Sequence, residues 1–149
     1  IMRAGRIVQA GTPNALYDQP VNRYVADFVG KSNFVGGTLV AKDEVETASG
    51  QRFRGRSSAA VTMGAKVSLS IRPEQIGLTH TARSGAEAVT VVNRIFLGEH
   101  TEYLVRHATI GDLLVLVARQ AEASEGSFAP GDAGFASWAP EAALILPED

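Results

Sequence analysis

The chain reads as a mainly β protein, a small closed or partly closed β-barrel preceded by a short β-hairpin and two short helices. Three observations predict this class. Apolar residues after residue 33 recur with period two, glycine-containing turns separate many short strand-like runs, and helical periodicity is confined to the first thirty residues. Strand number and spacing alone do not separate a barrel from a sandwich.

The first elements are punctuated by their turn residues. Ile1 to Arg3 and Arg6 to Ala10 are short strand-like runs, and Ala4-Gly5 between them suits a tight turn because glycine tolerates positive φ. Thr12 can cap a helix from Asn14 to Asp18, with Pro13 at its first position, and Gln19-Pro20 ends it. A second helix starts after Asn22, places Tyr24, Val25, Phe28 and Val29 on one face, and stops at Gly30.

The period then changes. Short strands are expected at Val35 to Ala41, Val45 to Ala48 and Arg52 to Arg54, with Gly50-Gln51 at a turn. Lys66 to Arg72 alternates without exception, which predicts a half-buried strand with Val67, Leu69 and Ile71 on the inner face and polar residues outside. Val89, Val91, Ile95 and Leu97 should share one face of a long strand, with Val92, Arg94 and Phe96 on the other. Gly98-Glu99-His100 turns the chain into a hairpin partner, Thr101 to His107. Leu113 to Ala118 is continuously apolar and predicts a strand buried on both faces; the last strand is Gly134 to Trp138, broken by Pro140. Gly55 to Gly64 and Thr79 to Ala86 are surface excursions, and Ala121 to Gly131 is expected to be a mobile loop or hairpin tip.

Composition narrows the function classes. A formal net charge of −2 over 149 residues gives no general attraction to nucleic acid or anionic lipid. The densest basic cluster, Arg52-Phe53-Arg54-Gly55-Arg56, holds one aromatic, and with aromatics at 7% it reads as a solvated hairpin tip and not a stacking platform. No apolar run approaches the roughly 18 residues of a membrane span, and no signal peptide is visible. The absence of cysteine excludes disulfides and thiolate chemistry. His80, His100 and His107 have no metal-ligand spacing with carboxylates, and Ser57-Ser58 and Asp112 lack a nucleophile elbow. Gly30-Lys31-Ser32 has the tail of a phosphate loop, but Val25 stands where its first glycine belongs and the segment follows a helix. The expectation is therefore no catalytic, cofactor-binding or metal-binding residues.

Arg72, Glu74 and Glu99 remain as candidate partner or ligand contacts. Pro73 removes a ladder donor and presents Arg72 and Glu74 at a strand end, where they can pair or meet a partner. Glu99 sits in the Gly98 turn.

Three separated stretches carry a resemblance. The run from Met2 to Phe34 resembles the end of the nucleotide-binding domain of bacterial ABC-importer ATP-binding subunits. Ser70-Ile71-Arg72-Pro73-Glu74 and the segment Ile95 to Val105 resemble two signature stretches of the accessory TOBE domain, an OB-like barrel. The wording looks most like the polyamine and ferric-iron group. The resemblance implies residues 1–30 as a remnant of the nucleotide-binding domain with connecting helices, and 31–149 as an OB-like (TOBE) regulatory and dimerisation domain. It further implies a non-catalytic piece, with ATP and Mg held by the parent subunit, which would be an ATPase coupled to solute import. Expected partners are a second copy, as a homodimer, and transmembrane permease subunits reached through the parent, with no nucleic acid. The expected location is cytoplasmic, peripheral on the inner face of the membrane. A chain that starts at Ile1 is expected to be an excised piece. The alternative is a stand-alone small-ligand or oxyanion-binding OB-like module.

Overall fold

The opening elements form where their punctuation puts them. In the computed structural model, which describes residues 1–58 and 60–148, β1 (Met2–Arg3) and β2 (Arg6–Ile7) pair antiparallel. Ala4 (φ 50°) and Gly5 (φ 77°) between them are both left-handed, as a tight hairpin with right-handed strand twist requires. Thr12 accepts the Ala15 N–H at 3.2 Å to cap α1 (Pro13–Asp18), and Asn22 accepts the Val25 N–H at 3.0 Å to cap α2 (Arg23–Val29). Gln9 fixes the connection: its Nε2 donates to Gln19 O at 3.0 Å and its Oε1 accepts the Val21 N–H at 2.9 Å.

The buried face of α2 is the expected one in part, with Val25 buried and Tyr24 and Val29 half-buried, but it shifts toward Ala26 and away from Phe28. Val25 and Ala26 are fully buried, whereas Phe28 is 65% exposed. From a partly exposed position Arg23 donates to Ser68 Oγ at 3.3 Å and approaches Glu148 at 3.6 Å. Gly30 ends the helix in extended backbone (φ 168°), without a left-handed cap.

Two sheets follow. The first has the order β5-β4-β3-β7-β13-β6, built from β3 (Asn33–Ala41), β4 (Glu44–Glu46), β5 (Arg52–Arg54), β6 (Arg56–Ser57), β7 (Lys66–Ile71) and β13 (Leu144–Pro147). All its pairs are antiparallel except β13 with β6. Gly37 lets β3 and β4 approach closely, since a Cβ there would lie 2.5 Å from Val45 Cγ1 and 2.6 Å from Glu46 O. On β7, Val67, Leu69 and Ile71 are buried as the alternation predicts, but so are Ser68 and Ser70. The outer face is therefore covered, and its hydroxyls are satisfied there: Ser70 by Ser32 at 2.6 Å, Ser68 by Arg23 and Glu148. β13 was not expected, because Pro140 looked like the end of regular structure; a 3₁₀ turn, Pro140–Ala142, re-enters the sheet beside β7.

The second sheet has the order β11-β10-β9-β12-β8, from β8 (Gly77–Thr79), β9 (Glu87–Phe96), β10 (His100–His107), β11 (Gly111–Ala118) and β12 (Ala133–Ser137). Val105 pairs with Val91 and Leu104 with Asn93, so Val92 is an unpaired bulge residue. The bulge reverses the expected faces beyond it. Arg94 and Phe96, opposite Tyr103 and Thr101, share the side of Val89 and Val91, while Ile95 turns to the other side. At an edge of the sheet, β11 buries Leu113 and Val115 fully and leaves Leu114 and Leu116 half-buried, so it is not buried on both faces as expected.

Ala121 to Gly131 is not a mobile loop. Arg119–Glu125 forms α3, whose Arg-Gln-Ala-Glu-Ala-Ser-Glu sequence is rich in strong helix formers, and Phe128 beyond it is 2% exposed. Ala59, in the Gly55 to Gly64 excursion, and Asp149 lie outside the described residues. The chain divides into two compact units, Ile1–Ile71 with Pro140–Asp149, and Arg72–Ala139. The first unit buries Val35, Leu39, Val45, Leu69 and Ile145, and the second Val91, Tyr103, Val105, Leu113 and Val115.

Candidate functional site

Within the unit Arg72–Ala139, a pocket of about 330 Å³ opens among β8, β10, β11 and α3. Its apolar wall includes Ile76, Leu78, Leu116 and Phe128; Glu74, His100 and Glu125 bring polar groups to it. Apolar lining with a few polar groups is the composition of a small-ligand pocket.

Tyr103 organises the wall. The alternation of Thr101, Tyr103 and Val105 along β10 points it inward, where its hydroxyl donates to Glu122 Oε2 at 3.0 Å and accepts the Phe128 N–H at 3.1 Å. Burial pushes this phenol above its usual pKa, the Glu122 carboxylate adds to the rise, and the Phe128 N–H opposes it. Phe128 stacks on His80 with ring centroids 3.8 Å apart, meets Tyr103 edge-on at 5.7 Å, and lies over Gly134, where a Cβ would come within 3.2 Å of its ring. Arg94 approaches Glu122 at 3.7 Å, and Arg83 donates to Glu125 at 3.1 Å.

At the far end of β10, His107 Nε2 lies 2.8 Å from Glu87 Oε1, while its Nδ1 accepts the backbone N–H groups of Thr109 (3.1 Å) and Ile110 (3.3 Å). That fixes the proton on Nε2 and makes this histidine a structural clasp of the β10–β11 turn. Among the described residues no group of three or more His, Asp or Glu stands where it could hold a metal ion.

The family model of the TOBE domain matches residues 69–146, a span that contains the whole of this unit and its pocket. The chain belongs to the TOBE-domain family. The spermidine/putrescine import ATP-binding protein PotA 1 of Pseudomonas aeruginosa is 31% identical to it over 150 residues, covering 98% of this chain and 40% of that protein. The chain thus spans well under half the length of that relative. Among solved structures, the cytoplasmic molybdate-binding protein ModG with molybdate bound superposes with a TM-score of 0.65 at 15% identity, covering 77% of this chain and 95% of that one. At that identity the likeness concerns the fold, and it agrees with the mainly β, OB-like class expected for a TOBE domain.

The TOBE domain places the three candidate contacts differently. Arg72 is 8% exposed at the head of the 3₁₀ turn Pro73–Gln75, where its carbonyl accepts the Gln75 N–H at 2.9 Å. Glu74 is exposed and borders the pocket, and His100 reaches the same pocket. Glu99, its chain neighbour, is exposed in the hairpin turn, and its carbonyl accepts the Arg119 N–H at 2.9 Å. Tyr103 and Phe128 are not site candidates in the sequence and His80 is weighed there only as a metal ligand; the lone aromatic at 128 in a polar tract is the available signal.

Proposed function

We propose that this TOBE-family chain is the non-catalytic regulatory and dimerisation part of an ATP-binding subunit of an ABC importer for polyamine, ferric iron or a similar solute. The observation that carries the reading is the 31% identity to PotA 1 along 98% of the chain, which extends beyond the TOBE match through the amino-terminal hairpin and helices. ATP and Mg then belong to the rest of the subunit. The permease subunits are partners through it, and the inner face of the membrane is its place of work; no helix among the described residues is long and apolar enough to cross one.

The mechanism in this reading is organisational. Two ATPase subunits that close on ATP and reopen lose translational freedom at each closure unless a second interface keeps them together, and a tether raises their effective concentration. The β9–β10 hairpin tip offers such an interface, since Ile95, Phe96 and Leu97 are 46%, 65% and 55% exposed in one run. A ligand or protein that held the domain differently in open and closed subunits would shift the cycle by its differential affinity. Arg72, Glu74 and Glu99 are the contacts proposed for such a partner.

The test is replacement of the matching segment of PotA 1 by this chain. Spermidine uptake above that of a PotA 1 lacking the segment supports the reading, and uptake no better than the truncated subunit contradicts it. The oxyanion-binding alternative has the ModG fold on its side and nothing more specific. Saturable thermal stabilisation by molybdate, with no self-association, would favour it.

A further inference from the structure

The pocket of the unit Arg72–Ala139 and the exposed tip of the β9–β10 hairpin share one face of one sheet. Phe96 stands directly opposite Thr101 on β10, and Thr101 directly opposite Val117 on β11, which lines the pocket. Directly opposed residues of antiparallel strands point to the same side, so Phe96 and the Val117 wall are two strand spacings, about 10 Å, apart. The Val92 bulge makes this so. Without the extra residue Ile95 would take the side of Tyr103, and Phe96 would face away from the pocket.

Phe96 does not fill the pocket of its own chain. It is 65% exposed, although the pocket offers about 330 Å³ walled by Ile76, Leu78, Leu116 and Phe128. The tip that carries it is tied down, because the Leu97 N–H donates to His100 O at 2.8 Å and Glu99 O accepts the Arg119 N–H at 2.9 Å. Knob and hole are therefore both set before any partner arrives, which lowers the ordering cost of docking. An apolar knob held beside an apolar hole is self-complementary about a two-fold axis that passes between them.

We infer that the occupant of this pocket is Phe96 of a second copy of the chain, inserted reciprocally so that each pocket is completed by the partner's ring. The inference rests on the tether reading and gives it its central contact. A buried aromatic anchor in an apolar pocket is the kind of contact that dominates binding energy, and Ile95 and Leu97 supply apolar surface around it. A second copy answers both features at once. Any other apolar partner would have to bring its own knob and its own hole, at the same spacing.

The test is complementation between two variants of the whole chain. Phe96→Glu removes the knob, and Ala121→Trp, at an exposed position of α3 on the pocket wall, fills the hole. Either change alone breaks both halves of a reciprocal contact, so each variant is expected to self-associate at least about tenfold more weakly than the parent in sedimentation equilibrium. An equimolar mixture restores one half, the Phe96 of the Ala121→Trp chain in the open pocket of the Phe96→Glu chain. Its weight-average mass should exceed that of either variant at the same total concentration, with a heterodimer at least about tenfold tighter than either homodimer. Ala118→Trp, exposed on the same pocket at the end of β11, should behave as Ala121→Trp does. A parent that dimerises while the mixture gains nothing, or while both filled pockets leave association unchanged, overturns the exchange and leaves the tether to another surface. A lower melting temperature of Phe96→Glu as a monomer would show that the ring serves its own pocket, and overturns it too. A parent that stays monomeric at every concentration overturns the exchange and the tether together.

Discussion

Tyr103 shows how one side chain ties a chain segment to a sheet. Its hydroxyl satisfies the Phe128 N–H and gives Glu122 a donor, so Tyr103→Phe leaves a buried N–H unpaired and should cost about 1–3 kcal/mol in urea unfolding. The same phenol sets an alkaline limit. Its pKa is raised in the folded state, so the unfolded chain releases the proton first; stability is intact below the ordinary tyrosine value of about 10 and falls as pH rises past it. Tyr103→Phe should remove its share of that fall, read as a flatter denaturation midpoint against alkaline pH. Asp112 works at the other end of the scale. Two hydrogen bonds from Arg106 hold its carboxyl below the usual value, with charge attraction adding and burial opposing. Its contribution is present above the unfolded value of about 3.9 and is lost as pH falls toward the folded one, so Asp112→Asn should flatten the acid limb of the stability profile.

At the scale of elements, the β3–β4 contact supplies a sharp pair of variants. Gly37→Ala puts a methyl within 2.6 Å of a backbone oxygen and should destabilise by about 1–3 kcal/mol, whereas Gly36→Ala, with nothing within 4 Å, should stay within about 1 kcal/mol of the parent by thermal unfolding. Elements with local signals were legible before the fold was known. Thr12 and Asn22 announce their helices, Gly50 and Gly98 their turns, and the alternation of Lys66 to Ile71 its strand, because each depends only on neighbours in sequence. What was not legible depends on partners far along the chain. The bulge at Val92 is defined by β10, the burial of Ser68 by Arg23 and Glu148, and the re-entry of β13 by β7. α3 carries helix propensity without an apolar stripe, so a period-based reading passes over it. Of the candidate site, the exposed Glu74 at the pocket follows from the strand-ending Pro73, but the aromatic wall of Tyr103, His80 and Phe128 is a product of tertiary packing.

On the scale of the whole molecule, the proposed function gives this TOBE domain the task of holding subunits together. The exposed run Ile95, Phe96 and Leu97 is the apolar surface available for that purpose, and Phe96→Glu should weaken any self-association while leaving the melting temperature within about 2 °C of the parent, since the side chain is already solvated. A swap through the β1–β2 hairpin would be indifferent to that substitution and sensitive instead to Ile7→Glu, where another exposed apolar side chain stands at the other end of the fold's sequence. Sedimentation equilibrium of the chain across a wide concentration range tests the central claim most directly. A reversible monomer–dimer equilibrium that Phe96→Glu shifts to monomer is the expected result; a single monomeric species at every concentration would contradict the tether.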